Sequence, residues 1–369
     1  MAGTMSRVVD TELNDLLPLR ILEIDGSLRG TAPMTNDLAL RALRAMKLSR
    51  ALDVLATKLQ RLGRLGVYGP VHGQEASVVG SALALDPSRD WLVPAYREQP
   101  AMLHHGLPLD RMLAAYMGRI GHSSIPAGVN LLPRNQAVAA QLPHAVGLAW
   151  GLKLRKVRCA VLVYLGDGAA SEGDFHESAN FAGVLRAPLV MFVQNNGYAI
   201  STPVNRQTAA PTIASRAAGY GFPGYVVDGN DLFAVYAAAT NAVERALEGK
   251  GPTLVESLTY RIGFHNTTDN PKAYRDDDEV REATTRDPIL RVERYLERSG
   301  IWDNARASEM EREIERELEA AVATASNYPV PDAMEMFDHV YADAPSRVRS
   351  QREELQEIRR TAGMTARPT

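Results

Sequence analysis

Residues 158–203 read RCAVLVYLGDGAASEGDFHESANFAGVLRAPLVMFVQNNGYAISTP. The apolar run at 160–165 stops at Gly166-Asp167-Gly168. A run without polar interruption reads as a strand buried on both faces, as in a parallel sheet. Over 171–185, Phe175, Ala179, Ala182 and Leu185 recur at helical spacing. A second apolar run, 189–193, stops at Asn195-Asn196-Gly197. Strand, helix, strand in this order is one right-handed crossover unit. The predicted fold class is α/β, a mostly parallel sheet flanked by helices. Both polar clusters then fall at the carboxyl ends of parallel strands, the edge where open α/β sheets bind ligands.

The residue types at that edge point to a ligand. Gly166 and Gly168 let the backbone turn sharply and approach another molecule closely. Asp167 offers a hard carboxylate oxygen, and Asn196 an amide oxygen at the end of the second strand. A helix starting near residue 171 aims its positive end at the same spot. A carboxylate beside a phosphate repels it unless a divalent cation intervenes. Mg²⁺ takes one or two protein oxygens and lets phosphate oxygens complete its octahedron. The implied ligand is a diphosphate held through Mg²⁺. A dinucleotide fingerprint needs G-x-G-x-x-G, and Gly173 comes too late for it. No Gly-Lys-Ser/Thr follows, which excludes a nucleotide P-loop. An ordinary strand-to-helix turn explains the glycines and leaves the asparagine pair unexplained.

The chain has 369 residues, 45% hydrophobic and 23% charged, with a net charge of −3. That suits one large domain or two, and it carries no basic footprint for nucleic acid or membrane. The one cysteine, Cys159, excludes an internal disulfide and a cysteine-rich metal site, and fits a reducing compartment. The opening MAGTMSRVVDTELND lacks an apolar stretch and carries acids, unlike a signal or transit peptide. No run is long enough to span a bilayer. The expected location is the cytoplasm.

Three regions are expected: an extended arm over 1–35 with a short strand at 21–24, an α/β ligand-binding domain over 36–300, and a helical extension over 301–369 packed on that domain. Thr35-Asn36-Asp37 caps a helix to about residue 62. His72-Gly73-Gln74-Glu75 opens another to about 85, where the helix dipole alone explains Glu75. A strand at 90–93 ends at Pro94-Ala95-Tyr96-Arg97-Glu98, and an arginine just past a strand end can fork two phosphate oxygens. A short helix at 107–116 precedes a Gly- and Pro-punctuated loop over 118–135, and a small-residue helix runs to about 154. Strands follow at 225–227 and 253–260, with a helix at 232–247 between them capped from Asp231. Residues 270–286 read as a polar, acid-rich loop. Charged helices at 287–299, 307–325 and 347–360 close the chain. His265 stands past the last strand. A lone histidine there is more often structural, but this one shares an edge with Asp167 and Asn196. A neutral imidazole can donate or accept a proton.

The string GDGAASEGDFHESANFA, followed by NNGYAIST, resembles the thiamine diphosphate motif of the alpha subunits of 2-oxo acid dehydrogenases, the decarboxylating component of those complexes. The branched-chain type is nearest and the pyruvate type next. The resemblance implies the diphosphate-binding half of the thiamine-diphosphate fold, with thiamine diphosphate and Mg²⁺ as cofactors. Its metal ligands would be the side chains of Asp167 and Asn196 and the carbonyl of Tyr198. Tyr96, Arg97, Gly168 and Ala169 would line the diphosphate, with Gly166 also cofactor-binding. Gln136, Val138, Gln194, Ala199 and Ile200 would complete the cofactor site. The match Y-R-x-G-x-H places His265 over the reactive ring, as the catalytic residue assisting transfer to a lipoyl group. The acid that touches the cofactor's pyrimidine belongs, in this family, to a beta subunit, and no second module with that signature is found here. An α2β2 heterotetramer is therefore implied, with a lipoyl-bearing acyltransferase as further partner and a small 2-oxo acid as substrate. Acetoin cleavage on the same architecture is an alternative, and a non-catalytic assembly subunit is another. The chain departs from the family pattern in four places. The 118–135 loop is short. Asn135, Ala137 and Ala140 replace the hydroxyl residues of a K⁺ loop, leaving Gln141. Gln194 stands where branched-chain members carry an arginine. Asn266 replaces a regulatory serine.

Overall fold

The computed structural model describes residues 17–362. Helix α1 (Asn36–Arg61) forms where expected, its first turn capped by the Thr35 hydroxyl, which accepts from Leu38 N–H at 3.2 Å. There follow α2 (Glu75–Ala82), β1 (Trp91–Val93), α3 (Gln99–His104), α4 (Leu109–Tyr116) and α5 (Gln141–Leu154). The central unit is β2 (Val161–Gly166), α6 (Gly173–Leu185) and β3 (Leu189–Asn195). A small hairpin of β4 (Tyr198–Ala199) and β5 (Thr202–Pro203) leads on to β6 (Gly224–Asp228), α7 (Leu232–Leu247) and β7 (Thr253–Leu258). Helices α8 (Asp277–Thr284), α9 (Pro288–Arg298), α10 (Asn304–Asn327) and α11 (Ser346–Thr361) complete the order.

The main sheet is parallel throughout, in the order β1-β2-β3-β7-β6. Alternation along β2 and β3 explains their unbroken apolar sequence. Leu162, Tyr164, Val190 and Phe192 face a core shared with α1, α2 and α7. Val161, Val163, Leu165, Leu189, Met191 and Val193 face the core under α5 and α6. Full burial of each such side chain stabilises the fold by about 1.5–3 kcal/mol, so neither strand has a face to give to solvent. The regular helix after β2 starts at Gly173, slightly later than read. A 3₁₀ turn over Gly168–Ser171 comes first, and extended backbone at Glu172 separates the two.

Residues 1–16 of the expected arm lie outside the described residues. Its described part forms no strand at 21–24. Leu19 makes a single parallel bridge to Val227, and Leu22 an antiparallel one to Leu28. A side chain replaces the missing ladder: Asp231 Oδ2 accepts from Ile21 and Leu22 N–H at 2.7 and 2.8 Å, while its Oδ1 caps α7.

The acid-rich stretch read as loop contains α8. Asp276 caps it, and Asp277, Asp278 and Glu279 occupy its first turn, where the helix dipole favours negative charge. Of its residues only Ala283 is buried, so no apolar period marks it in sequence. Arg275, just before it, is 9% exposed. Its guanidinium donates to the carbonyls of Arg261 and Gly263, which binds this segment to the loop after β7.

Helix α10 buries Met310, Ile314, Leu318, Ala321 and Ala325 against α4 and α1. α11 buries none of its residues and is tied by Arg359 to Asp332 at 2.7 Å. Among the described residues, no helix is long and apolar enough to cross a membrane.

Candidate active site

One cleft of about 360 Å³ at the carboxyl ends of β2 and β3 is lined by every residue that the sequence offers for metal, cofactor or catalysis: Tyr96, Arg97, Gln136, Val138, Gly166, Asp167, Gly168, Ala169, Gln194, Asn196, Tyr198, Ala199, Ile200 and His265. Register explains the gathering. Gly166 pairs with Gln194, and Asn195 with Leu258. Three strand tips therefore end close together and their loops share a floor.

The paired asparagines do different things, because successive strand side chains point to opposite faces. Asn195 Nδ2 donates to Glu256 Oε1 at 2.8 Å, and its Oδ1 accepts from Gly197 N–H at 3.2 Å. Asn196 lines the cleft. Its Nδ2 donates to Gln74 Oε1 at 3.2 Å and its Oδ1 accepts from Tyr198 N–H at 3.2 Å, which fixes the orientation of the amide.

Asp167 is 2% exposed. Gln207 Nε2 donates to its Oδ2 at 2.7 Å. Burial pushes this carboxyl up, while the bonds from Gln207 and the Asn196 main chain, and the charge of Arg261, pull it back. Beside it, a Cβ on Gly168 would sit 2.8 Å from Ala199 Cβ, well inside carbon–carbon contact. Only glycine lets the β4–β5 hairpin lie against this turn. The same lining holds two strained residues, Ala139 at φ 66° and Ile200 at φ 55°, and left-handed backbone is costly for a β-branched side chain. Arg261 Nη2 holds the Ile200 carbonyl at 2.6 Å.

The opposite wall comes from residues 67–73, Tyr96-Arg97 and the segment after β7. Arg97 is 5% exposed. Its Nη1 donates to Pro70 O at 2.6 Å and its Nη2 to His265 O at 3.0 Å. Sequence position suggests a free two-pronged grip on phosphate. Here both terminal nitrogens are held by the protein, so Arg97 presents charge rather than an unused fork.

His265 Nδ1 lies 3.3 Å from Arg97 Nη2 and 3.1 Å from Arg261 Nη1. A guanidinium only donates, so Nδ1 accepts and the ring proton sits on Nε2. Burial, then the charges of Arg97 and Arg261, push His265 down to about 4. Asp269 Oδ2 accepts from His265 N–H at 2.7 Å and from Tyr274 OH at 2.6 Å.

Sequence reading leaves Arg261, Glu98 and Gln74 without individual roles, and all three line the cleft. Glu98 Oε1 accepts from Gln194 Nε2 at 2.6 Å, and burial pushes its carboxyl up to about 7. Its one cue is adjacency to Tyr96-Arg97. Arg261 follows a strand and is the arginine of the Y-R-x-G-x-H match, which assigns it no role of its own. Glu75 turns elsewhere: its Oε1 pairs with Arg50 at 2.6 Å and its Oε2 accepts from Gly73 N–H at 2.9 Å.

Among the described residues, no three of His, Cys, Asp or Glu gather as a metal site. Where β2 and β3 end, the cleft offers instead the Asp167 carboxylate, the Asn196 amide oxygen and the main chain near Tyr198. Such a set suits a hard cation that takes its remaining ligands from an anion or water. The guanidinium groups of Arg97 and Arg261 are taken up by carbonyls, the His265 ring and the Tyr274 hydroxyl, and Asp167 by Gln207, so none of the three stands in an ion pair with a described residue. Gln74 Nε2 and Gln194 Oε1 are buried without a partner. Unpaired cations, an unpaired carboxylate and orphaned amide atoms in one lining are complementary to a polyanion carrying a cation.

Over residues 43–334 the chain matches the family model described as dehydrogenase E1 component. It is 39% identical over 339 residues to the pyruvate dehydrogenase E1 component subunit alpha of Staphylococcus epidermidis, spanning 91% of each chain. It is 39% identical over 321 residues to the same subunit of Staphylococcus aureus, spanning 87% of this chain and 86% of the relative. With the cleft at its strand tips and matches over most of its length, the chain belongs to the dehydrogenase E1 component family, as the alpha subunit of a 2-oxo acid dehydrogenase.

Proposed function

We propose that this subunit binds thiamine diphosphate through Mg²⁺ and, with a beta subunit in an α2β2 assembly, decarboxylates a branched-chain 2-oxo acid and passes the acyl group to the lipoyl group of an acyltransferase. The observation that carries the reading is the meeting of Asp167, Asn196 and His265 in one cleft, although they come from three different strand ends. Bound thiamine diphosphate would supply the electron sink for decarboxylation. Asp167, Asn196 and the Tyr198 carbonyl would hold the Mg²⁺, and Arg97 would offset the remaining phosphate charge. His265, neutral with its proton on Nε2, would donate a hydrogen bond or that proton to the reacting substrate. Arg97 and Arg261 fix the ring by its other nitrogen.

The small apolar side chains of Ala137, Val138, Ala139 and Ala199 in the lining support a substrate with a branched alkyl group. The names of the relatives favour a second reading, pyruvate. The test is turnover by the chain copurified with its beta subunit, on 3-methyl-2-oxobutanoate and on pyruvate. Turnover is expected only with both subunits, thiamine diphosphate and Mg²⁺. Preference for the branched acid is expected to be about tenfold or more, the scale that one or two methylenes give in an apolar pocket. The reverse preference would establish the pyruvate reading. No turnover of any 2-oxo acid by the complete assembly would leave a non-catalytic subunit.

A further inference from the structure

Asp53 lies on the buried face of α1 and is 5% exposed. It does not line the cleft, yet it holds one wall of it. Tyr68 OH donates to its Oδ1 at 2.7 Å, and Val71 and His72 N–H donate to its Oδ2 at 2.8 and 2.9 Å. These three bonds fasten residues 68–72 from behind. The front of the same strap meets the site. Pro70 O accepts Arg97 Nη1 at 2.6 Å. His72 O accepts Ile262 N–H at 3.1 Å, and Tyr68 O accepts Thr267 N–H at 3.0 Å, on either side of His265. The fit is close: a Cβ on Gly69 would lie 3.3 Å from Arg97 Nη1 and 3.6 Å from His265 O.

We infer that Asp53 is a positioning residue for the diphosphate site, setting the depth of the strap and through it the place of the Arg97 guanidinium and the His265 main chain. This rests on the reading of the cleft proposed above. Removing a partner that orients a binding group typically costs about 10–100-fold in affinity or activity. In cofactor affinity, a residue acting through Arg97 has nothing left to act on once Arg97 is gone, because the place of His265 bears on turnover instead.

The test is a double-mutant cycle of Asp53→Ala and Arg97→Ala in the chain copurified with its beta subunit. Thiamine diphosphate with Mg²⁺ is titrated calorimetrically, and thermal unfolding of each variant is recorded. Asp53→Ala is expected to weaken binding about tenfold or more on the unaltered background, and less than about threefold when Arg97 is already alanine. An equal loss on both backgrounds, or no loss, overturns the inference. If Arg97→Ala alone leaves affinity unchanged, the reading of the cleft has failed and the inference falls with it. Should Asp53→Ala lose its cooperative unfolding transition, Tyr68→Phe takes its place. That change removes one of the three bonds and keeps the ring against Tyr116, at 5.1 Å between centroids. The same non-additive pattern is then expected at about threefold, and its absence is equally decisive against the inference.

Discussion

Asp167→Ala is expected to abolish Mg²⁺-dependent binding of thiamine diphosphate while leaving the unliganded protein at least as stable as before. Two physical facts set these opposite signs. Asp167 is 2% exposed, pairs with no described cation, and is pushed up by burial, so ionising it in the empty cleft is unfavourable. Alanine removes that cost. With a divalent cation bound as proposed the balance would reverse, because the carboxylate would be the one anionic protein ligand among neutral oxygens. Its loss should weaken cofactor binding by about 100-fold or more, beyond the range seen for groups that only orient a metal ligand. Calorimetry with and without Mg²⁺, alongside thermal unfolding of the unliganded chain, measures both halves. A variant that is less stable and still binds would mark Asp167 as a structural carboxylate of the turn.

His265→Ala is expected to lower turnover by about 10²–10⁴-fold, the usual contribution of a positioned acid or base, with cofactor affinity nearly unchanged. The split follows from the geometry. The bonds that orient the ring end on Nδ1, and the nitrogen left carrying the proton is the one available for chemistry. Retained turnover, or loss of affinity in proportion to turnover, would count against this assignment. A pH dependence follows too. Burial and two guanidinium charges bring His265 to about 4, so it stays neutral above that pH, and a limb near the ordinary histidine value of 6.5 should not belong to it. Because the folded value is depressed, the unfolded chain takes the proton first as pH falls from 6.5 towards 4. The contribution of this group to stability therefore declines through that window. Thermal unfolding of the parent should fall more steeply there than that of His265→Gln.

Much of this architecture is written in the sequence because parallel strands buried on both faces leave an unmistakable apolar trace. β2 and β3 are visible for that reason, and so are the polar residues at which they stop. The gathering of those residues needs only the crossover rule, which puts both strand tips on one edge. Other parts are silent for equally physical reasons. α8 buries a single residue and is held from outside by Arg275, so it has no apolar period to show. The β4–β5 hairpin is two residues a side, too short for alternation. Arg261 and Glu98 look like solvated charges at strand ends. Only folding shows them at 1% and 2% exposure against His265 and Gln194. Asp53 acts across a gap of 15 to 19 residues, on main-chain groups that no residue pattern announces.

The most direct measurement is a crystal structure of the α/β assembly with thiamine diphosphate and Mn²⁺ in place of Mg²⁺, with anomalous diffraction locating the metal. A single peak about 2.0–2.3 Å from an Asp167 carboxylate oxygen and from Asn196 Oδ1, with the diphosphate beside it at the tips of β2 and β3, is the expected result. A metal bound away from Asp167, or a cofactor lodged outside this cleft, would contradict it.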